Sequence, residues 1–304
     1  MRNLSEMEVI HVEITNACHL RCANCTRHLG HHDKPFFMTL EQVENAIDSL
    51  EGFEGRIGLM GGEPFMHPKI KEILEIFGKK TKRRQRQLWT AGYKRKEYSE
   101  LIAKYFDEDL VSFNDHTTPG KHQPLLVAIK DVVENKEIAD ELISNCWVQE
   151  QWSASITPKG GFFCEVAGSL DHLMNGPGGV KIEKGWWKKS LDAFKSQMKN
   201  SCENCSACIP LPDESDGFGG RNGPTTDTIS RSNYERLKEK SLKIKTGYYK
   251  IFDKKLTEED IIKNSWGWTP SRYRAFISHS PKDSSKYRLL SPENKTKPFR
   301  KKTI

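Results

Sequence analysis

The sequence predicts an α/β fold, a parallel sheet with helices packed outside it. Strand-like and helix-like segments alternate four times within about 135 residues, as sequential βα units do. The strand segments end in loops rich in Gly, Pro, Asn and Cys. With 36% hydrophobic and 10% aromatic residues, a chain of 304 residues can also bury a sizeable core.

The first unit opens with EVIHVEIT, Glu8 to Thr15, which alternates apolar and polar residues as a strand does and runs into a loop holding three cysteines. TLEQVENAIDSL follows with helical spacing, and Thr39 is placed to cap it. RIGLM then leads into GGEPFMHP and the helix KIKEILEIFGKK. RQLWTAGY leads into KRKEYSELIAKYF, and LVSFNDHTTPGKHQ into PLLVAIKDVV. Four such units fit either an open doubly wound sheet or a partial barrel, and in both the chemistry gathers in loops after the strands. CWVQEQWSASI, Cys146 to Ile156, is predicted as a fifth strand, with TPKGG turning into a return arm FFCEV. Next come a helix over about Glu165 to Met174, a break at NGPGG, a Trp-containing helix near Trp186 to Lys199, and CENCSAC. From PDESDGFGGRNGP the composition is that of a loop, and the last 25 or so residues have the Lys, Ser and Pro content of a weakly ordered tail.

The formal charge of +7 is uneven. Residues 221–304 hold 21 Lys and Arg against 9 Asp and Glu, and residues 1–220 hold 27 against 32. Such a tail suits an acidic or phosphate-bearing partner, nucleic acid included, or is simply solvated. No apolar run is long enough to span a membrane, and the N-terminus lacks a signal-peptide layout, so a cytoplasmic protein is expected. In a reducing compartment, eight cysteines at close spacing read as metal or cluster ligands sooner than as disulfides.

Cys18, Cys22 and Cys25 stand in a C-x3-C-x2-C spacing. Three thiolates can hold three irons of a cubane cluster and leave the fourth open, whereas a structural zinc wants four protein ligands. Zinc stays open as an alternative, with His19, His28, His31 or His32 as the fourth ligand. After the second strand, Gly61 and Gly62 permit close backbone approach, and the Glu63 carboxylate can accept bonds from an amine.

The cysteine loop after strand one and GGEP after strand two together resemble the radical S-adenosylmethionine family, over residues 8 to about 120 and more loosely to 208. The resemblance implies a partial (β/α) barrel of the radical SAM type over residues 1–156, followed by a cysteine-bearing extension (157–212) and a basic extension (213–304). It implies a 4Fe-4S cluster on Cys18, Cys22 and Cys25 whose open iron binds S-adenosylmethionine, with Gly61, Gly62, Glu63 and Pro64 against the same amine. One electron then yields a 5'-deoxyadenosyl radical that removes hydrogen from substrate, and an electron donor such as flavodoxin or ferredoxin is required. Thr90, Ser112 and Asn114 take the positions that contact methionine or ribose, or else are turn and cap residues. Where many members carry an aromatic residue before the last cysteine, this chain has Asn24, which puts the adenine contact in doubt.

Cys164, Cys202, Cys205 and Cys208 make a four-thiol set for a second 4Fe-4S cluster or a zinc. Their position after the barrel resembles the auxiliary-cluster extension of the SPASM and twitch subfamilies, with one late cysteine as a potential bystander. Cys146 reads as a small buried hydrophobe, the alternative being a thiol that exchanges a hydrogen atom. The loop RHLGHHDKP, with His31, and the residues Tyr93, Lys94, Asp115, His116, Lys121 and His122 are candidates for substrate contact or proton transfer, against solvated loops. The expected function is a radical SAM enzyme that oxidises a small polar metabolite such as a sugar, nucleotide or nucleotide-sugar. A peptide or nucleic-acid base as substrate is the alternative, and a non-enzymatic zinc-binding protein is the alternative from another class.

Overall fold

The computed structural model describes residues 1–114, 122–211 and 225–267. β1 (Val9–Thr15) is its central strand, and all seven of its residues are buried. Ile10, Val12 and Ile14 form one aliphatic face, which joins Val43, Ile47, Ile73 and Phe77 in the core. His11, Glu13 and Thr15 alternate with them, so the opposite face of the same strand is polar.

The helix α1 (Leu40–Asp48) begins where Thr39 accepts the Gln42 N–H and the Gln42 side chain returns to the Thr39 N–H, the cap expected from the sequence. β2 (Arg56–Gly61), α2 (Ile70–Lys80), β3 (Arg86–Thr90), α3 (Ser99–Tyr105) and β4 (Val111–Phe113) follow. Ile70, Ile73, Leu74 and Phe77 put one stripe of α2 into the core. β1 pairs in parallel with β2, β2 with β3 and β3 with β4. β5 (Ala154–Thr157) lies on the far side of β1, also parallel, and β6 (Gly160–Phe162) returns antiparallel to it through the expected hairpin. The sheet order is therefore β4-β3-β2-β1-β5-β6. This mostly parallel sheet with helices is the α/β fold expected, and it is consistent with a partial barrel.

Several elements differ from expectation. PLLVAIKDVV is helical only at α4 (Ile129–Val132). Ahead of it, Leu126 bridges Ile229 in parallel and its carbonyl accepts the Ser230 N–H at 3.1 Å, so a distant segment takes the backbone groups a helix would have used. α5 (Lys136–Ser144), capped by Asn135, follows. The predicted fifth strand is shorter, because Trp147–Gln151 forms the helix α6, with the Glu150 N–H on the Cys146 carbonyl at 3.0 Å. α7 (Glu165–Met174) matches the expected helix, and Asn175 ends it in the left-handed region. The Trp-containing stretch splits into two 3-10 turns and α8 (Lys195–Ser201), with Trp186 fully buried.

β7 (Asp227–Ser230), α9 (Arg231–Leu237), α10 (Leu242–Lys245), β8 (Tyr249–Phe252) and α11 (Glu258–Gly267) complete the described chain. β7 and β8 form a second, two-stranded parallel sheet that the sequence reading did not anticipate. Ile229, Leu237, Ile244 and Phe252 join the main core, so residues 225–267 pack as an integral part of the molecule. The basic stretch beyond residue 267 lies outside the described residues.

Candidate functional site

The loop after β1 is fastened to the loop after β2 by two backbone bonds, Gly62 N–H to the Thr15 carbonyl and Glu63 N–H to the Ala17 carbonyl, both 2.8 Å. A Cβ on Gly61 or Gly62 would overlap those same carbonyls, so the paired glycines are what allow the two loops to touch. Cys18, Cys22 and Cys25 line one cavity together with Gly61, Gly62, Thr90, Asn114, Arg27 and Trp89. Burial pushes the Cys18 thiol well up and the Cys22 thiol up to about 12. Such thiols ionise when a bound metal supplies positive charge. Cys18 Sγ also accepts the Leu20 N–H at 3.3 Å, the type of bond that steadies a cluster sulfur. The donor set therefore fits an iron-sulfur cluster.

The Glu63 carboxylate is not in that cavity. Fully buried, it accepts bonds from the Thr90 hydroxyl (2.8 Å), the Ala91 N–H (2.8 Å) and the Phe65 N–H (3.2 Å), which ties the β2 loop to the end of β3. Burial raises its pKa. Pro64 starts the turn Pro64–Met66, in which Pro64 and Phe65 are buried. Thr90 spends its hydroxyl on Glu63 and on the Gly92 N–H, while Ser112 receives the Gln87 side chain at 3.2 Å. Asn114 donates its N–H to the Thr90 carbonyl, and its buried Oδ1 has no hydrogen-bond partner among the described residues. Tyr93 packs on His19 with ring centroids 5.2 Å apart and lines a separate groove with Arg95 and Phe113. Asp115, His116 and Lys121 lie outside the described residues.

The loop RHLGHHDKP turns inward. Arg27 donates to Glu13 at 3.0 Å, to the Glu165 carbonyl at 2.8 Å and to the Glu165 carboxylate, which also meets His11 Nδ1 at 2.9 Å and the Ser153 hydroxyl. Burial would lift Glu165, but the Arg27 charge and the bonds from His11 and Ser153 outweigh it and hold the carboxyl at about 2. For Glu13 burial wins over the Arg27 charge, and its carboxyl is pushed up to about 7. His28 Nδ1 meets Ser169 Oγ at 2.6 Å. His31 is bonded at both ring nitrogens, to Ser241 and to Asp227, each at 2.7 Å. The sequence reading offered His31 to substrate; the structure instead commits it to a buried network.

The second thiol group is larger than the sequence suggested. Cys164, Cys202, Cys205 and Cys208 line one cavity, and Cys146 lines it with them. Cys146 is therefore no isolated hydrophobe; it stands at the start of α6 facing the other four. Burial raises the pKa of all five, that of Cys205 to about 12, and Cys205 Sγ accepts the Ala207 N–H at 3.3 Å. Among the described residues no three Cys, His, Asp or Glu gather as ligands of a single ion; the thiols are spread around a space. Sequence reasoning also missed Trp89, whose buried Nε1 has no hydrogen-bond partner among the described residues. Its signal was strand parity, which sets Gln87 and Trp89 on one face of β3.

Residues 12–146 match the Radical SAM superfamily. Among solved structures, BtrN in complex with AdoMet and 2-DOIA is 18% identical, over 65% of this chain and 88% of that one, with a TM-score of 0.43. SeMet BtrN in an open conformation is 18% identical over 65% and 86%, with a TM-score of 0.42. No curated protein matches the chain.

Proposed function

We propose that this chain, whose residues 12–146 match the Radical SAM superfamily, is an enzyme that uses a 4Fe-4S cluster and S-adenosylmethionine to oxidise a small polar molecule, passing electrons to a second cluster. The observation that carries the reading is the shared cavity, in which three thiols from one loop meet the backbone of Gly61 and Gly62. Cys18, Cys22 and Cys25 would hold the cluster, and the Gly61 and Gly62 backbone would meet the amine of S-adenosylmethionine. When bound, the pair supplies the electron and the carbon radical that takes a hydrogen atom from substrate. Arg27, Trp89 and Asn114 border the same space with buried nitrogen or oxygen atoms that lack a hydrogen-bond partner among the described residues, which favours a ligand with hydroxyl or other polar groups over an apolar one. The five-thiol cavity supports the second cluster, since net oxidation of an alcohol must release one more electron than the first hydrogen-atom transfer removes. An external reductant such as flavodoxin or ferredoxin completes the cycle.

Anaerobically reconstituted protein should contain about eight irons per chain and form 5'-deoxyadenosine under reducing conditions. Cys22→Ala should abolish that product and retain about four irons. Zinc in place of iron, or product formation unaffected in Cys22→Ala, would overturn the reading.

A further inference from the structure

The turn between the second and third cysteines is held from a distance. Lys243 Nζ donates to the Cys22 carbonyl at 3.0 Å, and Asp227 accepts the Asn24 N–H at 2.7 Å. Asp227 and Lys243 are ion-paired with each other, and both are about 2% exposed. Asp227 also meets His31 Nε2, and the Asn24 side chain accepts the Thr228 N–H at 3.0 Å. Asn24 sits at a φ of 49°, a left-handed conformation that Asn tolerates better than most residues. The stem of Lys243 crosses Gly30, where a Cβ would lie 2.5 Å from Cε, so the glycine within HLGHH clears its path. Burial would raise the Asp227 carboxyl, yet the bond to His31 and the charge of Lys243 outweigh it and keep it low.

Burying a charge pair is costly, and apolar packing would hold the segment at least as well. The pair is spent instead on the two backbone groups that define the Cys22–Cys25 turn. We propose that Asp227 and Lys243 are positioning residues, a latch by which residues 225–267 fix the cysteine loop, and that their opposite charges set the reduction potential of the cluster held there. The charge half of this rests on the radical SAM reading; the latch does not. Reduction adds negative charge to a cluster, so a nearby cation favours it and a nearby anion opposes it.

Two measurements on the full chain test this. In metal-free protein, hydrogen exchange over residues 18–28 should quicken in both Lys243→Met and Asp227→Asn, while residues 86–90 stay as protected as in the parent. In reconstituted protein, redox titration should follow the electron-paramagnetic signal that responds to S-adenosylmethionine. Lys243→Met leaves the carboxylate alone and should move the potential down, Asp227→Asn leaves the ammonium alone and should move it up, and Lys243→Arg should stay near the parent. A loop that is merely loosened would shift both variants in one direction, and that result overturns the charge assignment. Unchanged exchange at residues 18–28 overturns the latch. Quickened exchange in the two variants, with a parent protein that itself takes up no iron, would support the latch and reject both the charge assignment and the radical reading.

Discussion

Glu13 and Glu165 share one guanidinium and answer it differently, because their other neighbours differ. Glu165 has His11 and Ser153 as well as Arg27. Glu13 depends chiefly on Arg27, and burial lifts its carboxyl from 4.5 to about 7. A folded pKa above the unfolded value means that the folded chain binds a proton the unfolded chain has released. That stability is fully present below pH 4.5 and is lost as pH rises through about 7. Glu13→Gln removes the ionisation, so its stability relative to the parent should improve between pH 5 and pH 8 by on the order of 1–3 kcal/mol. Urea unfolding at the two pH values reads this, and a difference that is flat with pH, or reversed, would show that Glu13 is ionised throughout. The sequence displayed the alternation that turns Glu13 inward. It did not display the meeting of Arg27 with Glu165 beside it, which spans 138 residues of chain.

The elements legible in the sequence were those whose evidence is local. β1, α1, α2, the hairpin and α7 each carry their own periodicity or cap, and the two mouth loops follow strands that pair directly. Gly62 tests that pairing, since its absent side chain admits the Ala17 carbonyl. Gly62→Ala should separate the two loops, cost roughly 1–3 kcal/mol, and lower iron uptake by Cys18, Cys22 and Cys25. Parent-like iron content and parent-like urea unfolding would mean that the loops do not depend on the contact. Less legible were elements whose conformation is settled by a distant partner: Leu126 is extended because Ile229 and Ser230 take its backbone, and Cys146 meets four other thiols only after α6 turns it inward. If Cys146 is one of the ligands of a second cluster, Cys146→Ser should lose about half of the roughly eight irons expected, and one of the later cysteines should prove dispensable. Full iron content in Cys146→Ser would return Cys146 to a packing role.

At the scale of the molecule, the basic charge excess of residues 221–304 gave this end of the chain the look of an appendage, yet residues 225–267 reach back to the first cysteine loop. Asn24 and Asp227 are 203 positions apart, Cys22 and Lys243 are 221 apart, and no periodic pattern marks either pairing. Asn24 makes the point most directly. As a sequence feature it was a departure from the aromatic residue many radical SAM members carry there; in the structure its backbone and side chain both engage β7. The segment also covers apolar surface, since Ile229, Phe252 and Leu256 pack into the same core as Leu126 and Val132, and the Leu256 N–H reaches the Val132 carbonyl at 2.7 Å. A chain ending at Leu211 would leave that surface open to water and the Cys22–Asn24 turn without its partners. It should therefore lose both the cooperative thermal transition of the full chain and the ability to retain iron at Cys18, Cys22 and Cys25. Calorimetry together with iron analysis of the two chains checks this, and a truncated chain that melts at the parent temperature with its iron in place would make residues 225–267 dispensable to the fold and to the site.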